Sequence, residues 1–223
     1  MNSRVPVELI RTLSLIMVVT SVAAVEIRRL RLAAFAYATQ ALLIVALLTG
    51  FAAMNPALYW WAGTALVTKA VITTWLLLWF TGKNDERELK PVIGFSLSVV
   101  VAGVMMVSCY ALTHGHFQLF TPGQLANEEV LRTNLAVATT VFALGIYCVL
   151  TRRDAIKTVI GLCLLENGVH LSLVSLAPAL PETALFGIAS EVVVTVFLLL
   201  YVIAGVRKEF GTTDTFKLNE LQR

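Results

Sequence analysis

The chain alternates long apolar runs with short polar segments, and each apolar run contains about 20 residues, the length that a helix needs to span hydrocarbon. All six prolines lie at or outside the ends of these runs, where a missing backbone N–H is best tolerated. The pattern predicts an all-α, polytopic membrane bundle of seven transmembrane helices, over residues 5–25, 32–53, 57–81, 92–113, 133–151, 155–177 and 184–206.

The composition supports a membrane protein. Of 223 residues, 58% are hydrophobic and only 14% are charged, with a mean hydropathy of +0.81. A soluble domain has roughly 25% charged residues, so this chain lacks the means to cover a water-facing surface. Soluble enzymes and secreted disulfide scaffolds are therefore excluded, and we expect the lipid bilayer as a partner. The net charge of +3 is too small for a nucleic-acid interface, so we expect no nucleic acid.

The first apolar run also has features of a cleaved signal peptide. Its core over residues 13–25 is short, and small residues lie near its end. However, Arg28, Arg29 and Arg31 follow directly, on the side that a cleaved signal would have to export. We therefore favour a retained first helix.

Lysine and arginine are distributed unevenly between the two sides of the predicted bundle. Thirteen of the 17 follow helices one, three, five and seven, whereas Arg4, Arg11 and Arg132 lie on the other side and Lys69 lies inside helix three. By the positive-inside rule, the N-terminus is outside and the C-terminus is cytoplasmic. We predict a multi-pass protein with a polar cytoplasmic tail, residues 207–223, that lies along a partner or the membrane face.

Four ionisable residues fall inside the apolar runs. Such a side chain costs at least about 2.5–3.5 kcal/mol in hydrocarbon, so it is a candidate functional residue by default. These residues are Lys69 in helix three, Glu166 and His170 in helix six, and Glu191 in helix seven. We predict that they form a proton or ion pathway, and we predict no catalytic residue and no bound metal.

Their spacing carries the argument further. Glu166 and His170 are four residues apart and share one helix face. A tight turn at residues 178–181 would make helices six and seven antiparallel neighbours, which places Glu166 and Glu191 at similar depth. Paired carboxylates at low dielectric titrate together, as a proton-exchanging site requires. Whether they face each other or different partners stays open.

Lys69 is the matching positive charge, and threonines at 64, 68, 73 and 74 could supply it with hydroxyls. The alternative is that these residues only join helices, because interhelical polar contacts are common in membranes. Four ionisable groups favour the pathway, although for His170 alone we favour a structural role beside Glu166. The pair His114 and His116 predicts a solvated loop, since zinc needs three or four ligands.

The motif Gly161-Leu-Cys-Leu-Leu-Glu166-Asn167-Gly168-Val-His170-Leu171 resembles the hydrogenase 4 component E family, from the membrane arm of group 4 nickel-iron hydrogenase and formate hydrogenlyase complexes. Further similar segments are Arg31 with Phe35-Ala-Tyr37 and Gln40-Ala-Leu42, Ala65-Leu-Val-Thr68-Lys69, and Gly211-Thr-Thr-Asp214. The last three helices also resemble the K-type subunit of respiratory complex I. We therefore divide the chain into a family-specific four-helix part, 1–132, a K-type-like part, 133–206, and the tail, 207–223.

The resemblance implies an accessory subunit of an oxidoreductase complex in the bacterial cytoplasmic (inner) membrane, with Glu166 and Glu191 on an intramembrane polar axis. It implies that this chain binds no cofactor, because the nickel-iron site and iron–sulfur clusters lie on partner polypeptides. The implied partners are antiporter-like membrane subunits, an H-like membrane anchor subunit and the soluble hydrogenase arm. A scaffold that only links the anchor to the antiporter-like subunits is the alternative, and a free-standing transporter is a third possibility. The transported ion and the electron donor stay open.

Overall fold

The computed structural model describes residues 7–52, 55–81, 92–116, 129–176 and 182–215. Within these ranges, seven helices are long and apolar enough to cross a membrane. They are α1 Val7–Glu26, α2 Leu30–Phe51, α3 Ala57–Thr81, α4 Phe95–Gly115, α5 Glu129–Thr151, α6 Ala155–Leu176 and α7 Glu182–Phe210. The predicted all-α bundle of seven spanning helices is confirmed, with helix ends that differ from the expected ones by at most four residues. The turn at 178–181 lies outside the described residues, and the orientation in the membrane stays a prediction.

Helices α5 and α6 form the tightest pair in the bundle because glycines lie at their contact. A Cβ atom on Gly145 would lie 2.4 Å from the backbone nitrogen of Leu165, and one on Gly168 would lie 2.6 Å from the nitrogen of Phe142. Small residues let membrane helices approach backbone to backbone, where dispersion contacts replace the hydrophobic effect as the force for association. This pair is also the most deeply buried part of the bundle, whereas α4 and α7 are mostly uncovered.

The buried apolar side chains form two clusters, one towards each end of the bundle. On α1, Met17 and Val18 belong to one cluster, whereas Ala24 and Val25 belong to the other. The same division recurs along α2, α3 and α6. On each of these four helices the boundary between the clusters coincides with buried polar side chains, namely Ser21, Gln40, Lys69, Asn167 and His170. A polar layer therefore crosses the bundle between two apolar cores.

A second polar cluster closes the bundle where α1 ends. The Arg152 guanidinium lies 2.7 Å from Glu26 Oε1 and donates at 2.9 Å to Ser98 Oγ, which itself donates to Glu26 at 2.7 Å. Lys157 Nζ donates to the carbonyls of Ala24 and Val25, at 2.8 and 3.0 Å. These carbonyls belong to the last turn of α1, where intrahelical partners are missing. The sequence marks Arg152 and Lys157 only as charges that fix topology, yet both are buried and join helices.

The start of the tail packs against the connection between α5 and α6. Helix α7 continues to Phe210, and Gly211, with φ of 67°, ends it in the left-handed region that suits glycine. The chain then returns to the connection between α5 and α6, where the Thr213 carbonyl accepts from Ala155 N–H at 3.1 Å. Residues 211–215 thus contact the chain itself, and Thr213 supplies an acceptor to a free N–H group at the start of α6. Their association with a partner or the membrane face stays a prediction. Residues 216–223 lie outside the described residues.

Candidate functional site

Lys69 is the centre of the polar layer. Its side chain is 1% exposed, and its ammonium lies 3.3 Å from Glu166 Oε1. It donates to Asn167 Oδ1 at 2.8 Å and contacts His170 Nδ1. Three of the four residues predicted from the sequence, Lys69, Glu166 and His170, therefore meet in one cluster, which we call the Lys69 cluster together with Asn167. A buried ammonium of this kind requires such partners, because an isolated charge at low dielectric is very costly.

His170 lies between the other two ionisable groups of the cluster. Its Nδ1 faces Lys69 and its Nε2 lies 3.4 Å from Glu166 Oε1, which is the neighbour expected at a spacing of four residues. Lysine ammonium is a donor only, so Nδ1 accepts and the proton of a neutral ring sits on Nε2, towards the carboxylate. The edge of Trp61 packs against the ring at 5.6 Å between centroids. This ring can therefore receive a proton at one nitrogen and release one at the other.

The helix that carries Lys69 is widened at this point. Residues Leu66–Thr73 form a π-helical segment within α3, and both Lys69 and Thr73 are buried there. The Thr73 hydroxyl donates to the Thr68 carbonyl at 2.9 Å, and the Thr74 hydroxyl donates to the Lys69 carbonyl at 3.1 Å. These hydroxyls satisfy backbone carbonyls of the widened turns. The hydroxyls at these two positions therefore do not donate to the Lys69 cluster, and the expectation that they surround the ammonium is not met there. A π-helical turn inside an α-helix is frequently found at a functional site.

Glu191 lies across a cavity from the Lys69 cluster. The cavity, of about 340 Å³, lies between α6 and α7, and Glu166, His170, Glu191 and Thr195 contribute to its wall. The Glu166 side chain is 27% exposed, so its carboxyl group is open to this space, and Glu191 is exposed. The two carboxylates thus line one cavity from neighbouring helices, an arrangement that the sequence left open. Water or a partner side chain in the cavity would connect them.

The sequence did not identify the uncharged members of the polar layer. Asn167 Nδ2 donates to Gln40 Oε1 at 3.4 Å, and Gln40 Nε2 donates to Ser21 Oγ at 2.7 Å. All three side chains are fully buried. Their signal in the sequence is a mid-helix amide or hydroxyl, which is weaker than a charge because serines and amides in membrane helices are common. Only the meeting of three helices makes these residues a connected group.

The weaker candidates lie apart from this site. His114 stacks on Tyr110 with 5.5 Å between ring centroids, and His116 is exposed at the end of α4. In the part of the chain that the structure describes, no three His, Cys, Asp or Glu side chains come together as metal ligands. Cys148 and Cys163 are buried among apolar residues and Cys109 is half-buried, and none of the three forms a disulfide.

Known proteins resemble the chain along almost its whole length. Over 218 residues it is 26% identical to Hydrogenase-4 component E of Escherichia coli, a match that covers 96% of this chain and 97% of that protein. The protein of the same name from Shigella flexneri gives the same identity and coverage. An uncharacterized protein of Mycobacterium tuberculosis is 25% identical over 184 residues, 82% of this chain and 80% of that protein. No solved structure gives a significant match.

The C-terminal part of the chain also matches a protein-family model. Residues 133–223 match the family described as NADH-ubiquinone/plastoquinone oxidoreductase chain 4L. Glu166, His170 and Glu191 lie within the matched region, whereas Lys69, which contacts two of them, lies outside it. The resemblance predicted from the sequence is confirmed: this multi-pass membrane chain is similar to Hydrogenase-4 component E over nearly all its length and to the complex I chain 4L family over its last three helices.

Proposed function

We propose that the chain is an integral membrane subunit of a hydrogenase complex related to complex I, and that its Lys69 cluster carries protons between partner subunits. The observation that carries the proposal is a buried lysine whose ammonium contacts Glu166, Asn167 and His170 between two apolar cores. A purely structural link between helices would need one polar pair. Here the Lys69 amine contacts the His170 imidazole, which in turn lies beside the Glu166 carboxylate. Each of these three groups can bind or release a proton.

The contacts support a specific order of transfer. When Lys69 gives a proton to His170 Nδ1, the proton on Nε2 can pass to Glu166, so the ring ends neutral and the carboxylate becomes a carboxylic acid. A direct transfer over the 3.3 Å between Lys69 Nζ and Glu166 Oε1 gives the same result. Glu166 then faces the cavity towards Glu191, from which the proton leaves. Glu166 Oε1 and His170 Nε2 have no hydrogen-bond partner among the described residues, so the transfers to Glu166 require a small reorientation of these side chains or one bridging water.

The same contacts favour protons over sodium as the transported ion. Sodium would need several convergent oxygen ligands, but the Asn167 oxygen accepts from Lys69, and the Thr73 and Thr74 hydroxyls are bonded to backbone carbonyls. The ammonium itself already occupies the position beside Glu166 where a cation would bind.

The remaining parts of the complex follow from the similarity. Hydrogenase-4 is the complex named for the relatives, so we propose antiporter-like membrane subunits, an H-like anchor and the soluble hydrogenase arm as partners. The nickel-iron site and iron–sulfur clusters would lie on those subunits, and the location would be the bacterial cytoplasmic membrane. In this arrangement the chain acts as an accessory subunit whose own chemistry is proton transfer.

The variant Glu166→Gln tests the proposal. Glutamine keeps the size of the side chain but cannot exchange a proton, so redox-driven proton uptake into sealed vesicles should fall by about a hundredfold or more. Hydrogen evolution from an artificial donor should continue, because that chemistry lies on another subunit. Both rates are measured on the assembled complex, with Glu209→Gln at the exposed end of α7 as the matched control.

Normal proton uptake by the assembled Glu166→Gln complex would contradict the proposal and favour the scaffold. A separate measurement on the native complex, with a protonophore in one sample and a sodium ionophore in another, identifies the ion. If only the sodium ionophore collapses the ion gradient across the vesicle membrane, the proposal of a proton pathway through the Lys69 cluster is contradicted.

A further inference from the structure

A continuous chain of side-chain hydrogen bonds leads away from Lys69 to α1. Lys69 Nζ donates to Asn167 Oδ1, and Asn167 Nδ2 donates to Gln40 Oε1. Gln40 Nε2 donates to Ser21 Oγ, and the Ser21 hydroxyl donates at 2.7 Å to the Met17 carbonyl. The chain therefore joins four helices, and every donor points away from Lys69. We call Ser21, Gln40 and Asn167 the amide chain.

The direction of the amide chain is fixed from its far end. A backbone carbonyl can only accept, so the Ser21 hydroxyl must donate to Met17 and accept from Gln40. Gln40 then presents its oxygen to Asn167, and Asn167 presents its oxygen to Lys69. Because these side chains are fully buried, bulk water does not compete for the bonds. The Asn167 amide therefore cannot turn its N–H groups towards Lys69 without breaking two bonds, the one between Asn167 and Gln40 and the one between Gln40 and Ser21.

We infer that Ser21 and Gln40 are positioning residues, which act through Asn167 to hold the Lys69 ammonium between Glu166 and His170. This inference rests on the proposed proton transfer through the Lys69 cluster. Neither residue is among those that contact the Lys69 ammonium, so their effect on it passes through Asn167. A reversed Asn167 amide would direct N–H groups at the ammonium and displace it from its position 3.3 Å from Glu166.

The α1 helix offers a matched control for this inference. Ser14 lies on the same helix and is 1% exposed, as buried as Ser21, but its hydroxyl has no hydrogen-bond partner among the described residues. Replacing either serine by alanine therefore removes one buried hydroxyl from α1, and only Ser21→Ala releases the amide chain. Gln40→Met removes both bonds of the middle link with a side chain of similar size.

The experiment measures protons taken up per hydrogen formed, with the assembled complex in sealed vesicles. Ser21→Ala should lower this ratio about threefold, the factor that corresponds to one interhelical hydrogen bond in a membrane, and Gln40→Met should lower it further. Ser14→Ala should keep the native ratio, and Ser21→Thr, which keeps the hydroxyl, should restore it. Assembled amount and unfolding temperature are recorded for each variant, since a merely structural role would change these and leave the ratio unaltered.

The outcomes separate this inference from the proposed function. If Glu166→Gln abolishes proton uptake while Ser21→Ala and Gln40→Met keep the native ratio, the amide chain does not position Lys69 and the inference is overturned. If Glu166→Gln also keeps the native ratio, the proposed function itself has failed. A lower yield of Ser21→Ala complex with a native ratio assigns Ser21 to helix packing and likewise overturns the inference.

Discussion

A valine in place of Gly145 is expected to separate α5 from α6 and to unfold the central pair of the bundle. The first atom of any side chain at this position would lie 2.4 Å from the Leu165 nitrogen and 2.8 Å from the Gly161 oxygen. Both obstacles are backbone, so rotation of a side chain cannot relieve the overlap. We expect a loss of about 3 kcal/mol or more in the free energy of unfolding, at or above the upper end for overpacked sites.

Gly103→Val on α4 is the matched control, because a Cβ there would meet nothing within 4 Å. Both substitutions place a β-branched residue in the interior of a helix, so differences in helix propensity largely cancel. Thermal unfolding in detergent, followed by loss of the folded monomer on a sizing column, compares the two. Equal unfolding temperatures for Gly145→Val and Gly103→Val would show that the backbone contact of α5 and α6 does not hold the bundle together.

Lys69 lies outside the region that matches the chain 4L family. Among substitutions in that other part of the chain, Lys69→Met is expected to have the largest effect on proton uptake. Methionine fills the space but offers no proton, so we expect loss of nearly all redox-driven proton uptake. Loss of the Lys69 ammonium also leaves Asn167 Oδ1 and His170 Nδ1 without their donor. A fall in the unfolding temperature should accompany the loss of uptake, since buried acceptors without a partner cost about 1–3 kcal/mol each.

Two further variants separate the charge of Lys69 from its proton. Lys69→Arg keeps a positive charge but cannot release a proton in a protein, so uptake should still be lost where this variant assembles. Lys208→Met removes an exposed lysine near the end of α7 and should leave uptake unchanged. Proton uptake by Lys69→Arg at the native rate would mean that Lys69 acts as a fixed charge and does not relay protons.

Hydropathy was sufficient to predict the helices because the membrane imposes one solution on a long apolar run. Backbone groups cannot stay unpaired in hydrocarbon, so each run must form a helix whatever its neighbours do. The same cost makes misplaced charges visible: Lys69, Glu166, His170 and Glu191 stand out from the sequence, and the structure brings the first three together around one ammonium. Glu191 joins them only across a cavity.

Other features depend on contacts between helices, which no single run encodes. Arg152 looks like a charge that fixes topology until Glu26, 126 residues away, is found beside it. Gln40 and Ser21 carry no charge, so nothing separates them from other polar residues in helices until the amide chain is complete. The π-helical turns at Leu66–Thr73 coincide with threonine hydroxyls that bond carbonyls five residues earlier, a spacing that the apolar pattern does not contain.

The measurement that tests the central account most directly is infrared difference spectroscopy of the complex, recorded between its oxidised and reduced states. If Glu166 takes up a proton from Lys69 or His170 during turnover, the difference spectrum should contain a carboxylic acid band that shifts in heavy water. That band should be absent from Glu166→Gln and present in the Glu209→Gln control. A spectrum of Glu166→Gln with the same carboxylic acid bands as the native chain would contradict proton transfer through the Lys69 cluster.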